Sequence, residues 1–205
     1  LGSKQGRIKD VVMIIRKLFK FENAHIVRGC STVRCRSSIH GHSYKVELLF
    51  ESNFLDNGQM VYDFGLMKQN MKDIIDSFDH AISIWSEDEK EYVEDMKKYS
   101  HRWVLLPVSP SAEQLSRVLF VMIDKLLKQT STINGEKNVQ LNSIIVHETE
   151  TGYAQCFGED AYSQAMGKIN LEDIVFSPTI KSDWKDSELF EKLKQGQSFL
   201  NPTSV

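Results

Sequence analysis

The stretch HGHSYKVELLF at residues 40–50 constrains this chain more than any other. Tyr44, Val46, Leu48 and Phe50 alternate with Ser43, Lys45 and Glu47. A period of two marks a β-strand with one buried face, because successive side chains project to opposite sides. His40 and His42 share the parity of the apolar set, so two imidazoles stand side by side on the inward face. Two neutral imidazoles facing one point suit a divalent ion, zinc above all, but two ligands do not make a site.

His25, the last residue of FENAH (21–25), is the candidate third ligand. Residues 14–21, IIRKLFKF, are β-branched and aromatic enough for a strand that ends at FENAH. Antiparallel pairing of that strand with the second brings His25 beside His40 and His42. Three imidazoles with an open fourth position are a catalytic-zinc arrangement, whereas structural sites usually close with four ligands. A single histidine is more often a core or surface residue; three on adjacent strands with matching parity are harder to explain that way.

Elsewhere the pattern is mixed. Residues 26–39 lack periodicity and read as a loop. Asn57-Gly58 signals a turn, and MVYDF (60–64) follows as a short third strand. Met67, Met71, Ile74, Ile75 and Phe78 then fall at helical spacing, with Asp63 as the expected N-cap. The charged run 86–102 reads as an inserted, solvated segment. A second helix begins at SPSAEQ, with Pro110 in its first turn and Ser111 with Gln114 as a capping box. Leu115, Val118, Leu119, Met122 and Leu126 form its apolar stripe. LNSIIVHETET and TGYAQCFGE read as a closing strand pair around Gly152. The order β-β-α-α-β-β implies an α+β fold, an antiparallel sheet covered by helices on one face. One domain is expected over 13–159, with 160–205 as an appendage bearing a short helix near Ser187 to Gln195.

Composition narrows the partners. The chain has 205 residues and a net charge of -3, with no basic stripe, so neither nucleic acid nor an acidic membrane is expected. The apolar run LFVMIDKLL is interrupted by Asp124 and too short to span a bilayer. LGSKQGRIKDVVM lacks the apolar core and cleavage site of a signal peptide. Three cysteines, an odd number, point to a reducing cytosol rather than a disulfide framework.

FENAH (21–25), Cys35, HGHSY (40–44), VYDF (61–64), FDH (78–80), PSAE (110–113) and VHET (146–149) occur in that order. Together they resemble the 6-pyruvoyltetrahydropterin synthase / 6-carboxytetrahydropterin synthase family, from about Phe21 to Thr149. The resemblance implies the tunnelling fold: a four-stranded antiparallel sheet with two helices packed on one face. It also implies a homohexamer, a dimer of trimers, with active sites where subunits meet. The implied substrate is 7,8-dihydroneopterin triphosphate, with Zn2+ on His25, His40 and His42. Cys35 would be the general base as its thiolate, favoured by Arg34 and Arg36. Cys30 is the rival in the same loop, with nine residues before His40 against four from Cys35.

Asp79 and His80 would form a proton relay, the carboxylate fixing the imidazole tautomer; the plainer reading is a local helix-end pair. Glu148 would accept paired N–H bonds from the pterin edge, because a carboxylate on an apolar strand is costly to bury unpaired. Glu113 and Ser111 would help hold the pterin, or serve only as helix caps. His147 and His101 read as structural or surface residues, and Cys156 as packing. The FENAH opening and the short approach to HGH favour the carboxytetrahydropterin product, of the queuosine pathway, over the pyruvoyl one. A folate-precursor branch uses glutamate in place of the cysteine; Cys35 to His40 contains none, although Glu22 keeps that branch open. A three-histidine zinc hydrolase leaves Cys35, Asp79 and Glu148 unexplained. The non-enzymatic alternative is a binding module whose zinc is structural.

Overall fold

Two long strands form the centre of the molecule. In the computed structural model, which describes residues 12–203, β1 (Met13–His25) and β2 (His40–Ser52) pair antiparallel along their whole length. The stretch read above for a signal peptide falls almost wholly on residues 1–11, outside the described part. Along β2, Tyr44, Val46, Leu48 and Phe50 are fully buried, and the residues between them are not. Between the strands, α1 (Val33–Ser37) occupies part of what reads as loop, and Val27 N–H donates to the Cys35 carbonyl.

The third strand expected at MVYDF does not form, and Asp63 does not cap a helix. Asp56 Oδ1 accepts from the N–H groups of Gly58 and Met60, both at 2.8 Å, and curls the chain. Asp63 Oδ1 accepts from Gly65 N–H at 2.7 Å and closes a second turn. Short carboxylate side chains compete with strand and helix for backbone donors in this way. Val61 and Tyr62 still enter the core. α2 (Asn70–Asp76) begins after Gln69, and the stripe of Met67, Met71, Ile74, Ile75 and Phe78 is buried as its spacing predicts.

The next elements overturn the four-stranded sheet. β3 (Ala81–Trp85) pairs parallel to β1 at Asn23 and Ala24, and β4 (Trp103–Leu106) pairs parallel to β3. Between them lies α3 (Lys90–Tyr99), the charged run. It is no mere solvated insert: Val93 is buried against Ile82 and Ile84. Val104 and Leu106 belong to the main core, and Trp103 and Leu105 to this second cluster. Side chains alternate across a strand, so α3 covers the opposite sheet face from α2. β3 has both faces covered, which removes the alternation that would have revealed it.

α4 (Ala112–Gln129) is the long helix over the main core. Ser111 Oγ accepts from Gln114 N–H, but the Gln114 amide donates to Met166 O, so the expected capping box is half formed. Then come β5 (Thr130–Ser131) and the antiparallel pair β6 (Gln140–His147) and β7 (Tyr153–Phe157). The remaining elements are α5 (Gly158–Ala161), β8 (Val175–Phe176), α6 (Pro178–Asp183), α7 (Leu189–Gln195) and β9 (Phe199–Leu200). The sheet has seven strands in the order β7-β6-β2-β1-β3-β4-β8.

Residues 160–203 are no appendage. β8 pairs with β4, and Phe176, Ile180, Trp184, Leu189, Phe190, Leu193 and Phe199 lie in the same core as β1 and β2. The nearly buried Arg117 of α4 donates to five carbonyls, of Asp160, Ala161, Ser163, Met166 and Gly167. Full burial of one large apolar side chain contributes roughly 1.5–3 kcal/mol, so this segment is part of what stabilises the domain.

Candidate active site

The register of β1 and β2 sets His25 directly opposite His40, and Asn23 opposite His42. All three imidazoles project from the face that carries Phe21 and Tyr44. One ring nitrogen from each lies within 4.8 Å of the others, a group that could hold a metal ion. Gly41 separates two of them because a Cβ there would lie 3.1 Å from the Asn23 carbonyl oxygen.

The second ring nitrogens are tied back. His25 Nδ1 donates to Pro110 O at 2.6 Å, and His40 Nδ1 to Ser38 O at 3.0 Å. Such bonds fix tautomer and ring plane, leaving Nε2 as the lone-pair nitrogen. His25 Nε2 and His40 Nε2 then face each other at 3.1 Å. Two lone pairs that close repel unless a cation lies between them, so this donor set fits a bound metal. Burial, above all, pushes the pKa of His25 below its ordinary value, with the bond to Pro110 opposing and His40 adding to the shift. The ring is therefore a neutral donor.

Glu148 follows β6 and approaches the group: its Oε1 lies 3.7 Å from His25 Nε2 and 3.9 Å from His42 Nε2. Tyr44 donates its hydroxyl to the same oxygen at 3.3 Å. Burial, reinforced by Glu148, raises the Tyr44 pKa, so the phenol stays a donor. Sequence reading took Tyr44 only for core; its parity with His42 was the available signal. Ser111 and the exposed Glu113 start α4, directly after the Pro110 carbonyl that holds His25.

Asp79 and His80 follow α2. His80 Nδ1 donates to Asp79 Oδ2 at 2.8 Å, and Asp79 Oδ1 accepts from Glu22 N–H at 2.8 Å. Burial would raise the Asp79 pKa, but the Glu22 N–H and then the His80 ring outweigh it and hold the carboxyl below its usual range. His80 sits at φ 51, a left-handed conformation that costs a non-glycine residue on the order of 1–3 kcal/mol. His80 and His42 line one cavity of about 460 Å³ with Glu22 and Ser43. Glu22 accepts from Ser43 Oγ at 2.7 Å.

The two loop cysteines differ. Both are half-buried, but the Cys30 thiol donates to Thr32 O at 3.3 Å, whereas Cys35 sits on α1 between the exposed Arg34 and Arg36. Neither sulfur belongs to the histidine group. His147 pairs with Glu47 Oε1 at 2.8 Å, and Cys156 is buried in the core.

Residues 14–159 match the family model described as 6-pyruvoyl tetrahydropterin synthase. The chain belongs to this family. A protein of Helicobacter pylori strain J99 named 6-carboxy-5,6,7,8-tetrahydropterin synthase is 38% identical over 182 residues, covering 88% of this chain and 91% of that protein. An Aquifex aeolicus protein of the same name is 28% identical, over 69% of this chain and 95% of its own. Among solved structures, an uncharacterized Wolinella succinogenes protein superposes with a TM-score of 0.57 at 19% identity, covering 73% of this chain and 99% of that one. The Plasmodium falciparum 6-pyruvoyl tetrahydropterin synthase does so with a TM-score of 0.54 at 20% identity, over 71% and 96%. These structures share the fold of the synthase family. No helix among the described residues is long and apolar enough to cross a membrane.

Proposed function

We propose that this chain is a zinc-dependent lyase converting 7,8-dihydroneopterin triphosphate and water to 6-carboxy-5,6,7,8-tetrahydropterin, acetaldehyde and triphosphate, a reaction of queuosine biosynthesis in the cytoplasm. The observation that carries it is the convergence of three imidazoles, two of which, His25 and His40, have their outer nitrogens tied to backbone carbonyls. The name of the Helicobacter pylori relative supports the carboxy product.

His25, His40 and His42 would hold the zinc. Bound there, zinc acts as a Lewis acid toward side-chain oxygens of the substrate and acidifies the adjacent C–H. Cys35, as thiolate, takes a proton from that carbon. His80 returns or relays protons through Nε2, with Asp79 holding its Nδ1–H. Glu148 accepts from the 2-amino-pyrimidinone edge of the pterin, and Ser111 and Glu113 help hold the ring. The half-exposed position of Glu148 beside the histidine group lets one carboxylate orient a substrate over the metal site.

The proposal includes assembly as a homohexamer, two stacked trimers, and the open sheet edges support it. β1 meets β3 only at Asn23 and Ala24, and Glu22 is bonded to the Asp79–His80 turn, so Met13 to Phe21 offers an open edge, and β7 is the opposite edge. Open edges are closed in stable proteins by pairing or cover.

The test is incubation of zinc-loaded protein with dihydroneopterin triphosphate, followed by chromatography. Release of triphosphate and acetaldehyde with 6-carboxytetrahydropterin is expected. A 6-pyruvoyl product without acetaldehyde would move the chain to the sister activity, and untouched substrate on a zinc-loaded protein would favour a binding module. In the same assay Cys35→Ala should lose about two to four orders of magnitude in turnover, with Cys30→Ala near wild type. The reverse pattern would transfer the base to Cys30.

A further inference from the structure

The turn that carries Asp79 and His80 is caged on both sides. Toward β1, Asn23 Nδ2 donates to Phe78 O at 2.8 Å and to Ala81 O at 2.9 Å. His80 N–H donates to Glu22 O at 2.7 Å. On the far side the contacts come from one side chain. Arg102 Nε donates to Asp79 O and its Nη2 to Asp76 O, each at 2.8 Å. Its Nη1 pairs with Asp183 Oδ2.

A guanidinium is planar, with its donors in a rigid fork. Engaging two carbonyls and a carboxylate together fixes that plane, and with it the spacing of the two carbonyls. The Asp79 carbonyl belongs to the peptide that joins Asp79 to His80. Holding that oxygen sets the peptide plane leading into the left-handed His80. Apolar packing does not do this work, because a cavity of about 560 Å³ opens beside the turn, lined by Asp79, His80, Arg102, Asp183 and Trp184.

Asp183 is held in turn. It ends α6, and the next residue, Trp184, donates its indole N–H to Ser77 Oγ at 2.8 Å. Lys185 N–H donates to Asp73 Oδ2 at 3.1 Å. Three successive residues of the C-terminal segment, all outside the span matched by the family model, thus hold α2 and its following turn, Trp184 and Lys185 directly and Asp183 through Arg102.

We propose that Arg102 is a positioning residue for His80, with Asp183 holding the guanidinium in place; this rests on His80 serving as the relay proposed above. The C-terminal segment then acts on the chemistry without touching substrate. Arg102 orients the imidazole by clamping its peptide, and Asp183 neutralises and aims the clamp.

The test uses the full chain, zinc-loaded, with Arg102→Gln, Arg102→Lys and Asp183→Asn, each alone and in a His80→Ala background. Arg102→Gln should lower kcat by about 10- to 100-fold, the scale of a misplaced catalytic group, with KM within about threefold. Arg102→Lys should recover part of the loss, and the milder Asp183→Asn, which spares the core, should lose less than Arg102→Gln. In His80→Ala, adding Arg102→Gln should change kcat less than twofold. An equal loss in both backgrounds, or near-normal kcat in folded Arg102→Gln, would overturn the proposal. Nitrogen NMR of the His80 ring reads orientation independently of turnover. One tautomer, with hydrogen on Nδ1, is expected in wild type and a mixture in Arg102→Gln; an unchanged spectrum also overturns it. Full activity in His80→Ala would instead remove the relay, and the ring spectrum would still decide whether Arg102 orients His80.

Discussion

His25, His40 and His42 stand on two strands that are neighbours in both sequence and space, whereas His80 reaches the cavity beside His42 on a turn held by distant side chains. The first arrangement is a matter of register: once β1 and β2 pair, every odd residue of one and even residue of the other share the buried face. The second depends on Asn23 from β1, Arg102 at the threshold of β4, and Asp183 from α6. A metal-binding group can therefore come from one hairpin, while the acid–base pair needs the whole domain folded around it.

The largest effect should come from breaking the hairpin's contribution. Replacing any one of His25, His40 or His42 with Ala should leave the purified protein with little of the expected one zinc per chain, because three ligands are the least a catalytic site retains. Elemental analysis reads this directly, and full zinc retention in all three variants would remove the histidine group as the metal site.

Next in size is a cut in the distant support. Trp184→Ala removes a buried indole packed on Phe176 and Phe190 and bonded to Ser77. It should cost about 3–5 kcal/mol of stability, the usual range for such truncations, with zinc content per folded chain unchanged. Denaturant titration with metal analysis on the soluble fraction tests both halves. A loss of zinc as large as that in His25→Ala would mean that the two regions are not separable.

The smallest effect concerns Asp79. Its folded pKa lies below the unfolded value of about 3.9. A depressed carboxyl adds stability above the unfolded pKa, and that contribution drains away as pH falls through the folded pKa. The difference in melting temperature between wild type and Asp79→Asn should therefore be full near neutrality and shrink below about pH 4. A difference that stays constant from pH 6 to pH 3 would show that the charge of Asp79 is not what holds the turn.

Legibility in the sequence followed the same divide. The alternation from His40 to Phe50 was enough to place two imidazoles on the buried face, and the apolar stripes of α2 and α4 announced both helices. The short strands escaped notice for definite reasons. β3 is buried on both faces, β4 and β8 span four and two residues, and the neighbouring charged run looked like surface. MVYDF reads as a strand, but Asp56 and Asp63 bind nearby N–H groups and turn the chain, and only Val61 and Tyr62 of it are buried.

By itself the sequence determined what is periodic: the β1–β2 pairing partners, the face shared by three histidines, and the helix that begins at Ser111. Tertiary structure alone decided what depends on contacts between distant residues. It built the segment 160–203 onto the core, extended the sheet past β1, and braced the His80 turn with Arg102 and Asp183. Periodicity is set by backbone geometry that each residue obeys locally, whereas a guanidinium bridging two carbonyls and a carboxylate leaves no repeating trace along the chain.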